Sequence, residues 1–430
     1  MIALCWLLAL SSLLFARSFW RLVMKVLHVI PSISERSGGP GQAIIPMCRA
    51  LRELGVDVLL ATTDAGMVGK GQEAKGQGYW KDVPTIFFPA QLGRSLKYSR
   101  PFSQWLDENV SEFDVVHIHA VFNHACVAAA RACRQQGVPY IVRPLGTLDP
   151  WSMKQKSLRK KVSWHAGIKR MLINAAAIQY TTRGEQQAVE ESLSLNHGVV
   201  VPLGVETKSI QKSAMGKRLS DQFPALQDCP YVLVLSRLHP KKALEVLLEA
   251  FLSLVKHAEF QDWRLVLAGE GPGDYVALLK KMVAEQAAGD FVVFPGWLNG
   301  ETKQAALRDA SLSALPSHHE NFGLCVMESL ACGVPVLISP HVNLAPEIEV
   351  ASAGWIAEVN VAAIEQALAA ALSSKDERLT RGANGEQLAL NYAWPNIASQ
   401  LRQVYSEIIP KVEEVIPKSD EAISVMVQHA

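Results

Sequence analysis

A chain of 430 residues, 49% of them hydrophobic, is long enough to bury two separate cores. Its 42 Lys and Arg nearly balance 41 Asp and Glu, and a formal net charge of +1 gives no global case for a nucleic-acid partner or an extreme-pI tail. Seven cysteines form no Cys-x-x-Cys pair, and their odd number and mostly apolar surroundings suit reduced, buried thiols in a cytosolic protein.

Ile2 to Ala16 is almost wholly apolar and stops at Arg17. The run is shorter than the about 20 residues of a membrane span, and it lacks the basic start and clear cleavage site of a secretory signal. Residues 1–23 therefore read as a short membrane-associating leader or, the favoured reading, as sequence upstream of a true start at Met24. From Met24 onward, short apolar runs alternate with helical patterns, the mark of parallel α/β domains. A strand over 26–30 enters Ser37-Gly38-Gly39-Pro40-Gly41, then a helix carrying Ile44, Met47, Leu51 and Leu54 and ended by Gly55, then a strand over 56–61. A glycine turn between strand and helix can cradle a phosphate, although this one does not spell G-x-G-x-x-G.

The strand Asp114–His119 carries His117 and His119 on one face. His-x-His is a metal-capable pair, but no acidic or cysteine cluster accompanies it, and no metal is expected. Tyr140 to Gly146 reads as strand and loop, leading into Thr147-Leu148-Asp149-Pro150-Trp151. Between Pro150 and Gly184 there is no Asp or Glu, yet Lys154, Lys156, Arg159, Lys160, Lys161, Lys169 and Arg170 fall there. Trp151, Leu158, Val162, Ile168 and Met171 add an interrupted apolar stripe, so the segment reads as a basic amphipathic helical region. Such a helix is ordinarily a solvated face on a sheet; the alternative is a contact with an anionic membrane surface. Val199 to Glu206 closes the first domain.

In the second half, Tyr231 to Leu235 reads as a strand, with Arg237 after it and Lys242 at a helix start. That places two permanent cations at a strand's C-terminal edge, with Lys241 as the alternative to Lys242. Leu265 to Gly273 is strand and turn, but Asp274 breaks any dinucleotide fingerprint. A strand over 291–296 leads to Trp297 and Leu298. The densest stretch is His318 to Ser339, which reads as loop, short helix, tight turn at Gly333 and buried strand. A helix starting near Gly323 offers free backbone N–H groups to an anion, with Glu320 just outside and Glu328 about a turn and a half inside. Two acceptor-only carboxylates beside such an end suit hydroxyl-rich ligands, sugar on one side and ribose on the other.

Glu320-x-Phe322-Gly323, the second carboxylate at Glu328, and Ala331-Cys332-Gly333-Val334-Pro335-Val336 together resemble the donor-binding motif of the retaining family 4 (group 1) glycosyltransferases. The resemblance runs from Met24 to Ile409 and implies the α/β GT-B fold, two Rossmann-like parallel-sheet domains facing a cleft. Residues 24–205 would form the acceptor domain, 206–390 the nucleotide-sugar domain, 391–409 a helix returning to the first domain, and 410–430 a tail. Carried over, Glu320 contacts the donor sugar, Glu328 the ribose, and Phe322, Gly323 and Leu324 the diphosphate region. Arg237 and Lys242 clamp the diphosphate, Gly38 and Gly39 face it from the first domain, and Trp297 and Leu298 flank the base. The family's functional histidine maps to His119, at the strand's C-terminal edge, with His117 as the second choice. Two departures are Leu203, where the family's linker usually has Asn, and Ala243, where it usually has Gly.

The implied activity is sugar transfer, with retention, from a nucleotide-sugar to a glycan or lipid-linked glycan. The phrase 147–151 is similar to one in bacterial polysaccharide-building members, which implies cell-surface or exopolysaccharide synthesis. The expected location is cytoplasmic, peripheral on the inner face of the plasma membrane. No cofactor is expected, and the lack of any Asp-x-Asp argues against a metal-dependent GT-A enzyme. Two alternatives stand: a non-catalytic nucleotide-sugar-binding subunit, and another GT-B enzyme such as a phosphorylase or sugar-nucleotide epimerase. Product analysis separates them.

Overall fold

The computed structural model describes residues 23–34, 38–67, 76–91, 97–154, 157–207 and 218–410. The apolar leader and the tail beyond Pro410 thus lie outside the described residues, as do Ser37 and Lys156 and the side chains of Lys154 and Arg159.

Two sheets organise the chain. The first holds β1 (Lys25–Ile30), β2 (Asp57–Thr63), β3 (Gly76–Trp80), β4 (Val83–Phe88), β5 (Val115–His119), β6 (Tyr140–Arg143), β7 (Ala177–Tyr180) and β8 (Gly198–Val200). Its spatial order is β3-β4-β2-β1-β5-β6-β7-β8. All pairings are parallel except the hairpin β3–β4, whose turn residues Lys81 and Asp82 both take left-handed φ. The second holds β9 (Tyr231–Leu235), β10 (Arg264–Ala268), β11 (Val292–Gly296), β12 (Leu312–Leu315), β13 (Val336–Ile338) and β14 (Gly354–Ile356). It is parallel throughout, in the order β11-β10-β9-β12-β13-β14.

The central strands read as continuous apolar runs because helices cover both faces. In β1, Val26, Leu27 and Val29 are all fully buried, on alternate faces of the sheet. Each sheet is laid down from its middle outward. The chain builds β1, β2 and β4 on one side, then crosses to β5; in the second sheet it builds β9, β10 and β11, then crosses to β12. Strand order therefore reverses between β1 and β5 and between β9 and β12. Loops leaving the C-terminal ends of strands on either side of such a reversal diverge and leave a crevice.

The helix Trp394–Ile408 leaves the second unit and packs on the first. It buries Trp394, Ile397, Ala398, Leu401 and Tyr405, and it lies against the helix Gly39–Glu53. Its entry is tight: a Cβ on Gly204 would sit 2.3 Å from the Trp394 ring, so only glycine fits beneath the indole. Near its far end, the Tyr405 hydroxyl lies 2.7 Å from His117 Nδ1, inside the first sheet's core.

The basic segment is not one helix. Helical residues Pro150–Lys154 and Ser157–Ser163 lead into a π-turn over Trp164–Ile168 and then Lys169–Ile173, and Gly167 at φ 153° breaks the helix inside the turn. The break splits the apolar stripe expected there. Ile168 and Met171 enter the core, whereas Leu158 and Val162 remain 76% and 64% exposed.

Replacing Tyr405 by Phe removes the hydrogen-bond partner of His117 Nδ1 at a fully buried position. Tyr405→Phe should lower stability by about 1–3 kcal/mol, seen as a lower urea midpoint at an unchanged slope. An unchanged midpoint would show that the hydroxyl contributes nothing.

Candidate active site

The loops that follow β9 and β12 meet at the reversal in the second sheet. Lys242, on the turn Pro240–Lys242, forms an ion pair with Glu320 Oε2, and the two side chains are 13% and 19% exposed. The loops are also tied through the backbone, the His318 N–H donating to the Lys241 carbonyl at 2.9 Å. Glu320 is fixed on both sides: its N–H donates to the His341 carbonyl and its carbonyl accepts from the Asn343 N–H, each at 3.0 Å. Burial works to raise the Glu320 pKa, but the Lys242 ammonium prevails, helped by Lys241 and His319, and the carboxyl titrates below its ordinary range.

The Gly269-Glu270-Gly271 turn, which failed as a dinucleotide fingerprint, supports this arrangement. A Cβ on Gly269 would lie 1.8 Å from the Ser236 carbonyl oxygen, and one on Gly271 1.8 Å from that of Leu238. The glycines let the loop carrying Arg237 pass against them, pinned by the Leu238 N–H donating to the Glu270 carbonyl at 3.0 Å. Ala243 takes φ 51°, a left-handed conformation that glycine would hold without strain.

Gly323, at φ 74°, caps the helix Leu324–Ala331, and no side chain caps its first N–H groups. One turn along, Glu328 accepts from Lys303 Nζ at 2.7 Å; Lys303 stands on the neighbouring helix Gly300–Asp309. Each carboxylate is thus paired with a lysine from another element. Nothing in the sequence marks Lys303 as a partner, because the contact depends on how two helices lie side by side. Cys325, between the carboxylates, has its thiol pushed up to about 12 by burial and is no nucleophile.

The remaining expected donor residues differ in what they can offer. Arg237 is exposed and, among the described residues, in no ion pair. Trp297 is half-buried at the end of β11. Leu298 is only 7% exposed, packed in the core with Tyr231, Ala306 and Leu307. Phe322 is 3% exposed, its ring 6.0 Å from that of Tyr392. The side chains of Leu298 and Phe322 are therefore core, and only their backbones can face a ligand. Gly38 (φ 78°) caps, and Gly39 opens, the helix Gly39–Glu53 that follows β1 at the first sheet's reversal. Among the described residues no heavy atom lies within 4 Å of where a Cβ on either would stand.

His119 does end β5 at the C-terminal edge, but its ring is fully buried. Its Nε2 lies 2.9 Å from Nδ1 of His28, a residue the sequence reading did not single out. His28 pairs in register with His117, and His119 with Arg143, which makes a polar row across β1, β5 and β6. Burial first, then the Arg143 charge, brings the His28 pKa down to about 3. His117 and His119 also lie well below the ordinary value, burial again leading, so all three rings are neutral at pH 7. One nitrogen from each ring lies within 4.8 Å of the others. The trio nevertheless suits a cation poorly: one nitrogen pair is already hydrogen-bonded, no carboxylate joins it among the described residues, and the fully buried Arg143 guanidinium stands beside it. His119 Nδ1 has no partner among the described residues and is the ring's remaining hydrogen-bonding atom.

Sequence and structure comparisons identify the family and the fold. The profile for "Glycosyl transferases group 1" matches residues 217–388, and that for "Glycosyl transferase 4-like domain" matches residues 38–204. The GDP-mannose-dependent α-(1-6)-phosphatidylinositol dimannoside mannosyltransferase of Mycobacterium tuberculosis is 28% identical over 224 residues, 51% of this chain and 55% of that protein. The D-inositol 3-phosphate glycosyltransferase of Thermobispora bispora is 30% identical over 211 residues, 47% of each chain. These alignments span about half the length of the relatives. A longer one, with the phosphatidyl-myo-inositol mannosyltransferase of Mycobacterium leprae, covers 90% of this chain and 97% of that one at 25% identity. Among solved structures, HepE of Anabaena with UDP and glucose superposes with a TM-score of 0.71 at 19% identity, covering 89% of this chain and 100% of that one. Sucrose-phosphate synthase of Thermosynechococcus elongatus gives 0.69 at 19% identity, over 90% and 99%. With both halves matched and the two-sheet architecture shared, the chain belongs to the group 1 glycosyltransferases of the GT-B fold.

Proposed function

We propose that this protein is a retaining glycosyltransferase that moves a sugar from a nucleotide-sugar to a glycan or lipid-linked glycan in cell-surface or exopolysaccharide synthesis. The observation that carries the reading is the pair of lysine-held carboxylates, Glu320 and Glu328, on either side of an open helix end at the strand-order reversal. In this reading Glu320 takes the donor sugar's hydroxyls and Glu328 the ribose, with the half-buried Trp297 beside the base. The diphosphate lies against the helix N-terminus, where backbone N–H groups and the helix dipole favour negative charge. Gly38 and Gly39 approach it from the first unit.

Transfer breaks the bond from the anomeric carbon to the diphosphate oxygen and forms one to the acceptor oxygen on the same face. The acceptor proton passes to the departing phosphate oxygen. Arg237 and Lys242 stabilise the charge that develops there, a task a divalent ion performs elsewhere, and the reaction is accordingly metal-independent. Lys242 reaches this role by exchanging the Glu320 carboxylate for phosphate oxygens. His119, assigned to the donor sugar by the family resemblance, is fully buried in this structure, so its unpaired Nδ1 reaches a sugar only if the loop after β5 moves aside; it is not a nucleophile.

Relatives named for phosphatidylinositol dimannoside and for phosphatidyl-myo-inositol support a lipid-linked acceptor. Among the described residues no helix is long and apolar enough to cross a membrane. Leu158 and Val162, four apart on one helix face, are exposed, and so are Lys161, Lys169 and Arg170 nearby.

A panel of nucleotide-sugars should contain one that raises the melting temperature, because a ligand of the native state alone stabilises it. With that donor, product NMR should show retained anomeric configuration, and turnover should persist in excess EDTA. Inverted product, or activity lost to EDTA and restored by magnesium, would refute the corresponding part of the reading.

Glu320→Ala and Glu328→Ala should each weaken donor use by about 1.5–3 kcal/mol while the fold survives. Wild-type kinetics in both variants would end the donor assignment.

The chain from Met24 should bind vesicles containing phosphatidylglycerol at low salt and leave them at high salt. Replacing Lys161, Lys169 and Arg170 by Gln should remove about 1 kcal/mol of attachment per charge. Absence of vesicle binding at low salt would make these residues an ordinary solvated face.

A further inference from the structure

Glu320 is bracketed by two residues that both contact the first unit. On one side, His319 Nε2 lies 3.3 Å from Asp149 Oδ1, and the imidazole stacks on Trp151 with centroids 6.1 Å apart and 26° between planes. On the other, Asn321 Nδ2 donates to Thr181 Oγ1 at 2.9 Å. Gly146 presses on the same Asn321 so closely that a Cβ there would lie 2.8 Å from the Asn321 Cβ. The second member of the ion pair is treated alike: Lys241, next to Lys242, holds its ammonium 4.7 Å from the centre of the Trp151 ring.

The surfaces that make these contacts are rigid. The Asp149 carboxylate, 8% exposed, accepts from the Trp151 N–H at 2.8 Å, which locks carboxylate and indole into one turn. Gly146 and Thr181 are joined by Glu185, a fully buried carboxylate that the reaction does not use. It accepts from the Gly146 N–H at 2.7 Å, from the Thr181 N–H at 2.8 Å and from Thr181 Oγ1 at 3.0 Å.

We propose that Asp149 and Trp151, acting through His319 and Lys241, are positioning residues by which the acceptor-side unit sets the Glu320–Lys242 pair. The role rests on the donor reading of Glu320 given above. Neither residue need touch the donor. Their contacts hold the sequence neighbours of both charged groups, so the pair takes its working geometry only when the two units are apposed. Misplacing a positioned group by about 1 Å can cost on the order of a hundredfold in rate, which sets the scale of the effect.

The test uses the full chain and the donor and acceptor that the wild type turns over, with UDP and GDP as binding probes. Asp149→Ala and Trp151→Ala should each lower kcat about tenfold to a hundredfold and leave the calorimetric Kd of the bound nucleoside diphosphate within about threefold. Trp151→Phe, which keeps an aromatic face, should recover most of the rate. His319→Ala should match Asp149→Ala, and the double variant should be no slower than either single one, since both remove the same contact.

A kcat within about threefold of wild type in both alanine variants would overturn the proposal. So would a nucleotide Kd that weakens in step with the rate, because the residues would then merely support the second unit's fold. If no nucleotide-sugar is turned over, the donor reading fails by itself. The cross-contact is then read from melting temperatures: coupling between Asp149→Ala and His319→Ala upholds it, and strict additivity overturns it.

Discussion

The ion pair between Lys242 and Glu320 joins loops that leave two adjacent strands just where strand order reverses, and much of the second unit exists to make it possible. The glycines at 269 and 271 remove side chains so that the Arg237 loop can lie against them. Ala243 accepts a left-handed backbone so that Lys242 can end its turn before the helix Leu244–Leu254 begins. Largely burying two charges costs desolvation free energy that their attraction roughly returns, so such a pair adds little net stability. In the proposed donor reading a phosphate oxygen takes the carboxylate's place on an ammonium already largely out of bulk water, so the lysine is not desolvated a second time.

The first unit faces the opposite problem, a polar row where a parallel sheet would ordinarily be apolar. His28, His117, His119 and Arg143 are fully buried and Gln179 nearly so. The cost is contained by keeping the imidazoles neutral and by giving them partners: His28 for His119, Tyr405 for His117. One of those partners arrives on the helix Trp394–Ile408, 288 residues from the histidine it serves. The polar core of the first unit is complete only when the chain's last described helix has docked, so the two units are not independent modules. The bracket around Glu320 carries the same dependence in the other direction.

What the sequence determined by itself is whatever a short window can carry. Alternating apolar runs and helical patterns specify parallel strands and their covering helices. Gly323, Gly333 and the spacing of Glu320 and Glu328 specify a short helix with a carboxylate outside and another inside its first turns, because helix geometry fixes those relations within a dozen residues. Arg237 and Lys242 were legible for the same reason, as cations just past a strand. Burial was not: Phe322 and Leu298 sit in motif positions but point into cores, since which face of a loop is covered depends on elements far away in sequence. Nor was the fate of the basic stripe, which Gly167 breaks so that Ile168 and Met171 turn inward while Leu158 and Val162 stay out. His28, Lys303, Tyr405, Asp149 and His319 acquire their partners only through strand register and helix docking. Those contacts are formed by residues 25 to 288 positions apart, and no local periodicity encodes which distant side chain will arrive.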